Sequence, residues 1–130
     1  MEFLSLSQQS ARTRLTSDVV LLGEWAVIAG QQPIDLDDDR VPLPDGIEGQ
    51  TAKILANLER LLGAAGLTKA DVVSVRVSLV DFPRLYERMN AAYVGFFPPG
   101  RLPARSCVGV SALTRGALVE MEFWARRPAR

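Results

Sequence analysis

A change of hydrophobic period between residues 45 and 80 constrains this fold more than any other stretch. Ile47, Thr51, Ile54, Leu55, Leu58, Leu61, Leu62 and Ala65 recur at three- and four-residue spacing until Gly66 stops them. This is the buried stripe of an amphipathic helix. Asp45, with Glu48 three residues on, has the form of a capping box at its start. Shortly afterwards Val73, Val75, Val77 and Leu79 alternate with Ser74, Arg76, Ser78 and Val80. Val72–Val80 is therefore expected as a strand with one strongly apolar face.

The remaining elements build around that pair. Val19–Leu22 and Trp25–Ala29 flank Gly23 and Glu24, the signal of a tight hairpin. The Pro- and Asp-rich stretch that follows reads as an ordered surface loop. Asp81 is placed to cap a second helix that tolerates Pro83 in its first turn, buries Leu85, Tyr86, Met89, Tyr93 and Phe96, and ends before Pro98 and Pro99. Ser106–Ala112 and Leu118–Ala125 read as strands joined through Leu113, Thr114, Arg115 and Gly116 in a closing hairpin. The order ββ-α-β-α-ββ, with an extra strand near Phe3, predicts one α+β domain over residues 1–130: a mostly antiparallel sheet with two helices on one face.

On the last strand Val119, Met121, Phe123 and Ala125 face one side, and Leu118, Glu120, Glu122 and Trp124 the other. Bulky apolar groups thus occur on both faces, and two helices cover only one. The face bearing Trp124 and Leu118 is expected to meet another subunit, with ligand clefts between subunits.

Composition narrows the chemistry. Among 130 residues, 15 basic side chains cancel 15 acidic ones, which argues against nucleic acid or a membrane surface as the main partner. There is no histidine, so His-based triads, dyads and metal sites are excluded. A single cysteine permits no internal disulfide and suits a reducing cytoplasm. No stretch has the length of a membrane span, and the start lacks a signal-peptide pattern. The Asp35, Asp37, Asp38 and Asp39 loop lacks the spacing of a calcium loop, so no metal is expected. Trp25, Phe82, Tyr86, Tyr93, Phe96 and Phe97 suit core or interface positions better than a base-stacking platform.

The expected closing hairpin brings Arg105, Cys107 and Glu120 together. Counted from the turn, Glu120 falls near Gly109, leaving Arg105 roughly 13 Å along the same face, with room for a small molecule between the charges. Each residue also has an ordinary reading. Arg105 at a strand start suits a surface ion pair, Glu120 a partner such as Arg76 or Arg115, and Cys107 a small apolar filler that no histidine activates.

Several separated motifs, from about residue 17 to 126, carry a resemblance. Ala29-Gly30-Gln31-Gln32-Pro33, Gln50-Thr51, Asn57-Leu58, Asp71-Val72-Val73, Met89-Asn90, Pro103-Ala104-Arg105-Ser106 and Leu118-Val119-Glu120-Met121-Glu122 together resemble the Rid (YjgF) family of enamine/imine deaminases, also called the L-PSP endoribonuclease family. The resemblance implies a chorismate-mutase-like α+β subunit in a homotrimer, with ligand sites between subunits. It implies that Arg105 binds a substrate carboxylate and Glu120 assists the hydrolytic water, with Gly30, Cys107 and Asn90 at the substrate. The implied substrates are 2-imino or 2-enamino acids, hydrolysed to 2-keto acids and ammonia without a cofactor. An arginine fork grips a carboxylate bidentately, and one carboxylate suffices to deprotonate water beside an electrophilic carbon. Two positions depart from the family pattern: Thr16 stands where a tyrosine is common, and Ala29 where a serine precedes the glycine. Two other functions remain open, a trimeric module that binds small carboxylates without turnover and, less favoured on charge, an endoribonuclease or translation inhibitor.

Overall fold

The amphipathic stripe forms α1 (Gly46–Ala64), which lays Ile47, Ile54, Leu55, Leu58, Leu61 and Leu62 into the core of a computed structural model that describes residues 1–7 and 15–128. Gly66, at φ 75°, closes the helix: its N–H donates to Gly63 O (3.1 Å) and that of Leu67 to Leu62 O (2.8 Å). This is a Schellman ending, which the missing Cβ makes inexpensive. The expected capping box does not form. Asp45 makes no side-chain cap bond, and Glu48 instead meets Arg88 Nε at 2.7 Å. An ion pair between helices has displaced the local cap.

The second helix, α2 (Phe82–Tyr93), lies beside α1 with Leu85 and Met89 buried. Asp81 precedes it in a left-handed conformation (φ 53°) and makes no side-chain cap bond; its carboxylate pairs with Arg84. The strands are β1 (Glu2–Leu4), β2 (Val19–Leu22), β3 (Trp25–Gln31), β4 (Val72–Val80), β5 (Ala104–Val110) and β6 (Val119–Arg126), in one six-stranded sheet ordered β1-β2-β3-β6-β4-β5. Both helices cover one face, as expected of an α+β fold of this kind. Val75, Val77 and Leu79 of β4 pair with Phe123, Met121 and Val119 of β6, and all six are buried beneath the helices. Burying a Leu, Val, Met or Phe side chain fully contributes about 1.5–3 kcal/mol, so this layer dominates stability.

The closing hairpin is not there. β5 runs parallel to β4, and β4 lies between β5 and β6. The segment from β4 through α2 to β5 is thus a βαβ crossover, which is what a parallel pair requires. Register changes accordingly: Glu120 is opposite Ser78, not Gly109, which is opposite Leu79. Arg105 is opposite Val75 on the helix-covered face, while Glu120 shares the open face with Ser78. Arg105 and Cys107 therefore do not share a face with Glu120.

The open face carries a row of paired residues, Phe3, Val20, Val27, Trp124 and Ser74, crossing five strands. Trp25 and Trp124 meet edge to face at 6.0 Å, and Trp124 is 47% exposed. Among the described residues, no helix is long and apolar enough to cross a membrane. The acidic loop is ordered by arginines, with Asp37 on Arg60 and Asp38 on Arg40, each at 3.0 Å.

Candidate functional site

The sheet presents two half-sites, one on each face. On the helix side, Arg105 points from β5 toward α2. Its guanidinium carbon lies 4.8 Å from the Tyr93 ring centroid and 6.0 Å from that of Tyr86. Nη2 donates a long bond to Tyr86 Oη, at 3.4 Å. The aromatic faces hold the cation by quadrupole attraction without neutralising it. Among the described residues it forms no ion pair. Burial pushes the Tyr93 hydroxyl up to about 12, with the Arg105 charge pulling the other way, so the ring stays neutral beside the cation.

Arg105 borders a cavity of about 270 Å³ whose other walls include Asn90, Tyr93, Val94, Phe97 and Leu102. Asn90 Oδ1 is itself shielded from solvent and has no hydrogen-bond partner among the described residues. An unmatched buried acceptor costs about 1–3 kcal/mol. Cys107, two residues along β5, lies over the core rather than in this cavity's wall. Burial raises its thiol pKa, and the Arg105 charge only partly opposes that. The thiol is therefore held protonated, the wrong state for a nucleophile.

On the open side, Glu120 projects from β6 across β3, where the register shifts between Ile28 and Gln31. The carboxylate lies over Gly30: a Cβ there would sit 3.0 Å from both Cδ and Oε2 of Glu120. Gly30 thus makes room for the carboxylate itself. Gln32 Nε2 donates to Glu120 Oε1 at 3.4 Å and to Thr114 O at 3.2 Å. The surrounding pocket, about 480 Å³, is also lined by Thr16, Asp18 and Arg115. Asp18 is already engaged, accepting from the N–H groups of Leu6 (2.7 Å) and Ser7 (2.9 Å). Arg76, one ordinary partner considered for Glu120, instead lies opposite Glu122, 3.8 Å from its carboxylate. Arg115 borders the pocket but forms no ion pair within the described chain.

The structure therefore brings together Arg105 with Asn90, and Glu120 with Gly30, but keeps the pairs apart. From Glu120 across β4 to β5 is two strand spacings, and Arg105 lies three residues further along, so the backbones are roughly 14 Å apart and the side chains point to opposite faces. Tyr86, Tyr93 and Gln32 were missed as site residues. The two tyrosines were assigned only to the buried stripe of α2, although a seven-residue spacing beside a parallel strand places both over its side chains. Gln32 stood inside a recognised motif, but only a register showing Glu120 beside β3 gives it a role.

Comparison with known proteins agrees with this architecture. A family profile described as Endoribonuclease L-PSP matches residues 7–127. A RutC family protein of Pyrococcus horikoshii is 37% identical over 106 residues, 82% of each chain. The 2-iminobutanoate/2-iminopropanoate deaminase of Salmonella typhimurium is 32% identical over 108 residues, again 82% of each. The crystal structure of RidA from an Antarctic Psychrobacter superposes with a TM-score of 0.85 at 28% identity, covering 97% of this chain and 99% of that one. Motifs, strand order and these likenesses converge, and the chain belongs to the Rid (YjgF) family, the Endoribonuclease L-PSP family of the matching profile.

Proposed function

We propose that this protein hydrolyses 2-imino acids, and their 2-enamino tautomers, to 2-keto acids and ammonium, at sites completed between copies in a homotrimer. One observation carries the reading: a cation and a carboxylate that, among the described residues, each lack an ion-pair partner occupy opposite faces of one sheet. A site that uses both needs a second chain, and the exposed apolar row around Trp124 is the surface such a chain would cover. The deaminase name of the Salmonella relative supports the reaction class.

In the reaction, Arg105 grips the carboxylate and aligns the imine carbon, while the apolar wall of Val94, Phe97 and Leu102 receives the side chain. Glu120 from the neighbouring copy accepts a proton from water as the oxygen bonds to that carbon and the C=N π pair moves to nitrogen. The proton then passes to the nitrogen of the resulting carbinolamine. Glu120 then relays the hydroxyl proton to the amine nitrogen as the oxygen's electron pair forms C=O and the C–N bond breaks. The ammonia released takes a proton from solvent to become ammonium, so imine plus water gives keto acid plus ammonia without a cofactor. The rings of Tyr93 and Tyr86 position Arg105, and Cys107 takes no covalent part.

The test generates 2-iminobutanoate in situ and follows keto-acid release. The wild-type protein is expected to accelerate release, and Arg105→Ala to lower kcat/KM by about 100-fold or more, with Arg105→Lys recovering part of the loss. Acceleration that survives Arg105→Ala would reject the assignment. Tight 2-keto acid binding without acceleration would select the non-catalytic carboxylate-binding module instead. RNA cleavage finds no support in a chain with zero net charge and no histidine.

A further inference from the structure

We propose that Gln32 is a positioning residue for Glu120, pinning one carboxylate oxygen so that the other, over Gly30, is presented to water. The inference rests on the hydrolytic reading of Glu120. Gln32 Nε2 is surrounded by three oxygens: Thr114 O at 3.2 Å, Thr114 Oγ1, and Glu120 Oε1 at 3.4 Å. The main-chain carbonyl and the carboxylate can only accept. The amide must therefore turn its NH2 toward them, because the flipped orientation would set its own carbonyl against both.

The consequence is an asymmetric carboxylate. Oε1 is held by a donor anchored to the 114–116 turn, whereas Oε2 lies over Gly30, and both residues line the open pocket. Among the described residues, the charged groups facing the same space are Asp18, engaged by Leu6 and Ser7, and Arg115 on the turn. On the adjoining strand Arg76 is paired with Glu122. Gln32 is thus the neutral group that fixes the rotamer of Glu120.

Two variants separate positioning from scaffolding. Gln32→Met keeps the length but removes the donor, and Gln32→Glu replaces the donor with a second acidic oxygen. In the 2-iminobutanoate assay, Gln32→Met is expected to lower kcat about tenfold at nearly constant KM. Gln32→Glu should also move the acidic limb of the pH profile to higher pH, by roughly one unit, because a like charge disfavours ionisation. In parallel, the Glu120 carboxyl is titrated by carbon NMR, assigned through Glu120→Gln, which reads the same shift without turnover. An unmoved Glu120 titration in Gln32→Glu, or a uniform loss of kcat with the limb in place, would overturn the proposal. Wild-type inactivity with a shifted titration would reject the hydrolase reading while leaving the Gln32 contact standing.

Discussion

The two faces of the sheet solve opposite problems with the same strands. On the covered face, Arg105 is held by two aromatic rings and fronts a largely apolar cavity. On the open face, Glu120 lies across a glycine in a polar pocket, steadied by an amide. In the proposed reaction the first side recognises by shape and a fixed charge, and the second supplies the carboxylate that takes up a proton. Because a strand sends successive side chains to opposite faces, Arg105 and Glu120 cannot reach each other within one chain, which prevents the salt bridge that would silence both.

The largest effect comes from mixing chains that each lack one half. Arg105→Ala and Glu120→Gln are each expected to reduce kcat/KM by about 100-fold or more. If each site draws its arginine and glutamate from different subunits, unfolding and reassembling the two variants together restores about a quarter of wild-type activity, the statistical share of intact interfaces. No recovery, with formation of mixed trimers verified by mass spectrometry, would break the comparison.

A pair of glycines sharpens it at smaller scale. Gly30→Ala sets a methyl 3.0 Å from the Glu120 carboxylate, the free end of a flexible side chain. It should lower kcat about tenfold while changing stability by less than about 1 kcal/mol in urea unfolding. Gly109→Ala, on the Arg105 face, meets Phe82 Cβ at 3.2 Å, and Phe82 stacks on Tyr86 with ring centroids 4.6 Å apart. It should cost about 1–3 kcal/mol of stability and raise KM more than it lowers kcat. Identical kinetic signatures from the two would erase the division of labour.

The smallest effect is alkaline. The Tyr93 hydroxyl is raised to about 12 in the folded state, chiefly by burial, so between pH 10 and about 12 the folded protein binds more protons than the unfolded one. Stability from this group is therefore intact below pH 10 and declines as pH rises through that window. In a Tyr86→Phe background, phenolate absorbance should appear only toward the upper end of it. Titration at the ordinary pH of tyrosine would show the covered face to be wetter than described.

Much of this was legible beforehand. α1 and β4 were readable because their periodicities are long and one-sided, and β4 was bounded at Val72 and Val80 as found. The error lay in adjacency. Two successive apolar strands, 106–112 and 118–125, look like a hairpin because sequential strands usually pair. The competing signal was present: a strand, a helix of some twelve residues and another strand form a βαβ unit, which demands a parallel neighbour. Asp45 and Glu48 misled for a related reason, since a local cap was outweighed by Arg88, forty positions away in sequence. Arg105 and Glu120 were named by motif, but their separation to opposite faces depends on register, which alternation alone does not fix.

The absent side chain at Gly30 has a further consequence for how this protein can change. Any enlargement there pushes on the acidic oxygen itself, so the floor beneath Glu120 is closed to drift even though it lies near the surface. Under the proposed reaction, new substrate preferences would arise from the opposite wall, where Val94 and Leu102 are exposed and can be exchanged without disturbing Glu120. Diversification and conservation of chemistry are thereby assigned to different surfaces of a single sheet.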